Sequence, residues 1–274
     1  MPQNSISLPF ELTTPHQRVI LKYFEKIERL SPQEWKMALQ AFDMLGKGMI
    51  KIERRQMSFQ QFYDRYVDRP YADDFIARLM ELEDLEKAET LQQKTAFEVL
   101  AMLEREGFYN ENLVSSEYLA AYCLYWWTSF AKGYRFELSI FRDLKASGIA
   151  FVAHDLRKRS ERRSPYDLLV LRQVGDIKNT TYFLYSARAL PLNRDFYITR
   201  LYHSQRRRYL TVVLMTKRAW RELNGEVATA SLEIAASFFP QPVQIAFEGQ
   251  NFVIAPFDLW KEKVKKRQQE EIKS

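Results

Sequence analysis

Residues 164–178 read Ser-Pro-Tyr-Asp-Leu-Leu-Val-Leu-Arg-Gln-Val-Gly-Asp-Ile-Lys, and the fold of the chain's second half depends on how this stretch is divided. Tyr166 to about Arg172 is apolar apart from its opening aspartate, Asp167, and predicts a strand. The polar run Gln173–Asn179, with Gly175 inside it, predicts the turn that follows. Thr181–Leu190 then predicts a longer strand returning from that turn.

Upstream, Ile149–Ala153 reads as another strand, joined to the first by the basic run 157–163, Arg-Lys-Arg-Ser-Glu-Arg-Arg. Before it, a short helix over 134–147 carries Phe136, Ile140, Phe141 and Leu144 as one apolar stripe, with Glu137 beside it. Downstream, Pro191-Leu192-Asn193 opens a helix to about Arg207, and Tyr209–Met215 is an apolar strand. Lys217–Leu223 and 228–238 read as helices, and Gln244–Phe247 with Phe252–Ala255 as a hairpin. Residues 257–274 start helical and fray.

The first 130 residues read as helices. Ser31-Pro32-Gln33-Glu34 combines a capping serine, a first-turn proline and a glutamate placed to close a capping box. Ser58 caps a short helix that Arg69-Pro70 interrupts, and 72–105 and about 116–131 follow as long helices. Trp126 and Trp127 lie in a segment so apolar that packing, not base stacking, is their expected role. The element order predicts a mixed fold, α+β or α/β: a helical region over 1–132, a mixed-sheet domain flanked by helices over 133–260, and a basic tail over 261–274.

Composition narrows the function. The chain has 274 residues, 46% apolar and 28% charged, which are globular values. Its one cysteine, Cys123, excludes an intrachain disulfide and argues against a cysteine-based zinc site. The three histidines, His16, His154 and His203, are far apart in sequence and predict no His-rich cluster. The start of the chain lacks a signal-peptide pattern and no apolar run is long enough to span a bilayer, so a cytoplasmic protein with no membrane partner is the expectation. Net charge is +6, and arginine is clustered: Arg157, Lys158, Arg159, Arg162 and Arg163 in one run, Arg206, Arg207 and Arg208 in another. Such clusters suit phosphate backbones, and nucleic acid is the expected partner. Their alternative roles are a solvated surface and, for 206–208, interaction with a helix C-terminus.

A hydrolytic metal site needs two or three carboxylates converging on a hard cation such as magnesium, helped by a lysine near the phosphate or the attacking water. Glu137 and Asp167 are the first two candidates. With Glu137 on the helix, Asp167 opening the second strand two residues after Pro165, and Asp176-Ile177-Lys178 as a D-x-K, residues 134–216 resemble the restriction-endonuclease-like PD-(D/E)xK nuclease superfamily. The resemblance implies a metal-dependent DNA endonuclease: Glu137, Asp167 and Asp176 as magnesium ligands, Lys178 as the catalytic lysine.

Hairpin register sets two readings of the third element against each other. Pairing Asp167 with Asp176 centres the turn between Leu171 and Arg172, at the end of an apolar strand. Pairing Asp167 with Ser186 centres it between Asp176 and Ile177, inside the polar stretch where a turn belongs. In the second reading Ser186-Ala187-Arg188 fills the slot without a carboxylate, and Asp155 is a candidate substitute. The functions that follow are a magnesium-dependent endonuclease, a DNA-binding subunit on a lapsed nuclease core, or an interaction protein whose helical N-terminal region is its partner surface. Structural roles also stand: Glu137 paired with a neighbouring arginine, and Asp167 capping a turn.

Overall fold

The computed structural model describes residues 5–7, 13–25, 31–52, 55–109, 114–164, 166–180, 193–203, 208–223, 228–229, 243–247 and 250–273. The chain divides into two compact units, Met1–Lys132 and Gly133–Ser274.

The first unit is mainly helical: α1 (Thr14–Glu25), α2 (Pro32–Gly46), α3 (Phe59–Tyr63), α4 (Asp73–Glu81), α5 (Ala88–Arg105) and the first part of α6 (Val114–Ala146). The capping box at α2 forms as the sequence predicts: the Glu34 amide donates to Ser31 Oγ at 3.3 Å, and the Ser31 amide donates to Glu34 Oε2 at 2.7 Å. Lys22 of α1 donates to the same carboxylate at 2.9 Å, so Glu34 also ties α1 to α2. Ser58 caps α3 in the same way with Gln61.

Three features of this unit depart from expectation. A three-stranded antiparallel sheet, β1 (Ser5–Ser7), β2 (Met49–Ile52) and β3 (Arg55–Ser58), accompanies the helices. Arg69-Pro70 does not interrupt the helical path: Asp64–Ala72 winds as a π-helix with Pro70 inside, and wider turns accommodate a residue without an amide proton. The expected helix over 72–105 is broken instead at Leu82, where the backbone becomes extended before Asp84 starts a short 3₁₀ turn. Trp127 is fully buried, and its Nε1 donates to the Gln92 carbonyl at 3.2 Å, so its role is packing.

The unit division falls within α6. This single helix of 33 residues replaces the two helices expected around Gly133. A lone glycine costs a helix about 1 kcal/mol, too little to break one of this length. In the second unit eight strands form one sheet: β4 (Val152–Ala153), β5 (Leu168–Val170), β6 (Gln173–Lys178), β7 (Phe196–His203), β8 (Arg208–Thr216), β9 (Ala228–Thr229), β10 (Val243–Phe247) and β11 (Gln250–Pro256), in the order β4-β5-β6-β7-β8-β11-β10-β9. Among the described residues only β6–β7 and β9–β10 pair in parallel. Two further helices among the described residues, α7 (Lys217–Glu222) and α8 (Phe257–Lys273), belong to the unit. Phe136, Ile140 and Leu144 of α6, Leu168, Ile177, Phe196 and Val213 of the sheet, and Trp220 and Trp260 of α7 and α8 share one core.

The division of residues 164–178 is the main correction. The turn is Leu171-Arg172, and the expected turn Gln173–Asn179 is strand β6. Leu171 and Arg172 have φ of 49° and 64°, the left-handed pair that a two-residue type I′ hairpin requires. Neither residue is the glycine or asparagine that usually announces such a turn. Leu171 packs against the core, which offsets part of the backbone strain. Gly175 serves packing rather than the turn: it sits opposite Phe196 across β6–β7, and a Cβ there would overlap the Phe196 ring. The ladder Leu168–Gly175 makes Asp176 the next residue opposite Asp167, the register that sequence reasoning disfavoured.

Other expectations also change. Phe196–His203 is strand β7 where a helix over 192–207 was expected, and Ala228–Thr229 is a strand, not the start of a helix. The strand expected over 181–190, with Ser186 and Arg188, and the cations Arg206 and Arg207 lie outside the described residues. Strand β8 and the β10–β11 hairpin form where predicted. Residues 257–273 are one helix with Trp260 and Val264 in the core, so 261–273 is part of the second unit rather than a free tail. Among the described residues no helix is long and apolar enough to cross a membrane.

Candidate functional site

Three adjacent strands bring His154, Asp167 and Asp176 into one cross-strand row. His154 follows β4, whose last residue Ala153 pairs with Leu168, and its amide donates to the Asp167 carbonyl at 3.3 Å. The Asp167 amide donates to the Gly175 carbonyl at 3.1 Å, and the Ile177 amide donates to Asp167 Oδ2 at 2.6 Å. Strand β6 alternates strictly, so Asp176 and Lys178 share the face opposite Gly175 and Ile177. The Lys178 ammonium lies 2.7 Å from Asp176 Oδ1 with its side chain 41% exposed, a cation held at the mouth of the site.

Glu137 enters from α6 and is buried. Its Oε1 lies 2.7 Å from His154 Nε2, and Asp167 Oδ1 lies 3.7 Å from His154 Nδ1. The Glu137–His154 contact is short but poorly aligned: neither atom has a directed hydrogen-bond partner among the described residues. Nδ1 of the ring lies 3.3 Å from the Tyr166 carbonyl. When Nδ1 carries the proton and donates to that carbonyl, Nε2 of the neutral ring presents its lone pair, as in ligating histidines held by an outer partner.

Electrostatics mark the cluster as one site. Burial, then a hydrogen bond shared with Asp176 and the charge of Glu137, push the Asp167 carboxyl up to about 8. Burial opposes ionisation of Asp176 too, but the shared hydrogen bond and Lys178 outweigh it and hold this carboxyl below its ordinary range. Burial works against the charged form of His154 and of Lys178, and the surrounding carboxylates more than reverse it, so both are raised. The three acids thus stand beside one lysine and one histidine, and Asp167 holds its proton more tightly than an ordinary carboxyl. A divalent cation can take the place of such protons, since ligands bind metal in their deprotonated forms.

The donor set fits a metal. One ligand atom each from Glu137, His154 and Asp167 lies within 4.8 Å of the other two. Ligands at about 2.0–2.6 Å from a common ion are separated by up to about twice that distance. Asp176 adjoins this group through its hydrogen bond to Asp167. The structure therefore brings Glu137, Asp167, Asp176 and Lys178 together and adds His154. The separation of the histidines in sequence concealed that residue, and its position one step beyond the strand Ile149–Ala153 was the available signal.

The other expected residues fall differently. Asp155 accepts from Arg157 Nε at 3.0 Å and Nη2 at 3.2 Å, which ties it to the basic run rather than to the acids. Lys158 pairs with Glu161 at 2.9 Å, and Arg159 and Arg162 have partners of their own. The run 157–163 does connect β4 to β5, but much of its charge is engaged locally. The Arg163 side chain lies outside what is described. Arg208 is exposed and begins β8, so no helix end accounts for it among the described residues. No protein-family model matches the chain, and no curated protein or solved structure matches it.

Proposed function

We propose that the second unit is a divalent-metal-dependent phosphodiesterase acting on nucleic acid, with DNA as its substrate. The observation that carries this reading is the convergence of Glu137, His154, Asp167 and Asp176, with Lys178 at 2.7 Å from Asp176. The resemblance to the PD-(D/E)xK nucleases points the same way, and the register of β5 against β6 supports it by bringing Asp176 and Lys178 to Asp167. Glu137, His154 and Asp167 would hold the cation, with Asp176 beside them. A bound divalent cation supplies an acidified water and neutralises charge developing on the phosphate. Asp176 orients the Lys178 ammonium, which binds a non-bridging phosphate oxygen or the attacking water. Tyr166 holds the imidazole of His154 through its carbonyl.

An imidazole among the ligands changes the expected metal. Magnesium favours all-oxygen sites, whereas manganese and later transition ions accept nitrogen more readily. Manganese should therefore support higher activity than magnesium. The test is cleavage of labelled plasmid and single-stranded DNA by the full chain with each ion, with EDTA as control. Metal-dependent products lost in Asp167→Asn support the reading. A normally folded wild-type chain that cleaves neither substrate with either ion overturns it.

A further inference from the structure

The outer end of the β7–β8 hairpin carries a surface that the metal centre does not use. Tyr202 and Tyr209 are 48% and 64% exposed, and among the described residues Phe97 is the one other aromatic ring as exposed. They are direct partners in the β7–β8 ladder, with ring centroids 5.2 Å apart and planes at 64°. Packing within the unit leaves both rings largely uncovered. Two neighbouring exposed tyrosines present flat apolar area at little conformational cost.

The charges around them have one sign. The Arg200 guanidinium stacks 4.5 Å over the ring of Phe136, the residue preceding Glu137. Arg200 is lowered first by burial and then by the like charge of Arg135, the residue preceding Phe136. Arg208, which precedes Tyr209, is exposed and by strand alternation projects from the opposite face. Among the described residues no carboxylate pairs with Arg135, Arg200 or Arg208. Uncompensated guanidinium groups beside exposed aromatic faces favour a polyanion that also offers flat rings. Unpaired nucleotides provide both, whereas the bases of a duplex are already stacked on one another.

The platform shares strand β7 with a neighbour of the site. Lys178 pairs with Thr199 at the end of the β6–β7 ladder, and Arg200 is the next residue on β7. Tyr202 is three residues beyond Thr199, about 10 Å at about 3.4 Å per strand residue, and by strand alternation Arg200 and Tyr202 project from the face opposite Thr199 and Lys178. We infer that Tyr202 and Tyr209 stack bases of an unpaired DNA strand while Arg135 and Arg200 hold its phosphates, an anchoring surface on the sheet face opposite the Asp176 and Lys178 side chains of the site around Asp167. This rests on the reading of that site as a phosphodiesterase, but binding at the hairpin can be tested separately.

The experiment measures anisotropy of a fluorescein-labelled oligothymidylate, longer than a site of about 4–16 nucleotides, against a duplex of equal length, with the full chain in EDTA. Changing Tyr202→Ala and Tyr209→Ala together should weaken single-strand binding about tenfold or more and leave duplex binding unchanged; the paired phenylalanine variant should retain wild-type affinity. Arg200→Gln should reduce the log–log salt slope for the single strand by about 0.7. If the double alanine chain melts early, Tyr209→Ala alone is read instead. Unchanged single-strand affinity in a folded alanine variant overturns the platform, as does equal loss on single strand and duplex. Tighter binding of oligouridylate with the same tyrosine dependence overturns the assignment to DNA. Absence of cleavage by the wild type strikes the phosphodiesterase reading alone, since these binding differences are read without turnover.

Discussion

Helix α6 contains two opposite kinds of burial. Around Trp127 its first part is closed and apolar: Phe75 meets the Trp127 ring edge-on at 5.0 Å, and Ala120, Ala121 and Cys123 are fully buried. Around Glu137 its second part buries a carboxylate among two further acids and a histidine. The first environment contributes stability through excluded water and close contact. The second keeps like charges together at a cost to the fold, a pattern found where a site is prearranged for a ligand.

Substitutions should separate the two. Trp127→Ala removes a fully buried ring and should cost about 3–5 kcal/mol of stability, read by denaturant or thermal unfolding. An unchanged melting point would break the contrast from the apolar side. Asp167→Asn should act in the other sense. It should lower cleavage by at least about a hundredfold, or about 2.7 kcal/mol, as expected for loss of a metal ligand. It should leave stability near neutral pH unchanged or improved, because a buried carboxyl that must keep its proton in the folded chain is replaced by a neutral amide. The pH dependence sharpens this. With its folded pKa raised, Asp167 binds its proton more tightly in the folded chain, so its contribution to stability declines as pH rises from about 4 towards 8. The asparagine variant should lose that decline; the same slope in both chains would remove Asp167 as its source.

Two smaller effects test the supporting structure. Gly175→Ala should destabilise by about 1–3 kcal/mol through its overlap with Phe196, with activity falling as β6 shifts against β5. A neutral result would deny that Gly175 is there for Phe196. The smallest effect concerns the capping box of α2. Hydrogen bonds from the Ser31 amide, then Lys22, lower the Glu34 carboxyl to about 2. A lowered folded pKa gives stability that is present above about pH 4.5 and lost as pH falls towards 2. Glu34→Gln should flatten acid unfolding in that window and change little at neutral pH.

What could be read from the chain followed the range of the interaction concerned. The caps at Ser31 and Ser58 depend on residues three positions apart and were legible, as were β8 and the β10–β11 hairpin. Glu137, Asp167, Asp176 and Lys178 were each legible as candidates. Their assembly was implied by the family resemblance but left open by the residues, because local turn chemistry favoured Gln173–Asn179 while the chain turns at Leu171-Arg172. The run that forms β7 was misread for a related reason: a mixed polar and apolar segment takes its conformation from the strands beside it.

By itself the sequence determined the helix starts at Ser31 and Ser58, the apolar strand β8 and the β10–β11 hairpin, the reserve of buried aromatics and the presence of acids in otherwise apolar surroundings. These follow from covalent preferences and from periodicity along the chain. Only the tertiary structure decided that Gly175 lies under Phe196, that Leu171 can hold a left-handed turn against the core, and that His154 joins Asp167 and Asp176 in one row. The physical reason is that each of these depends on a partner from another element. A ring filling the space above a glycine, or an acid kept protonated by two others, has an energy only once those partners are in place.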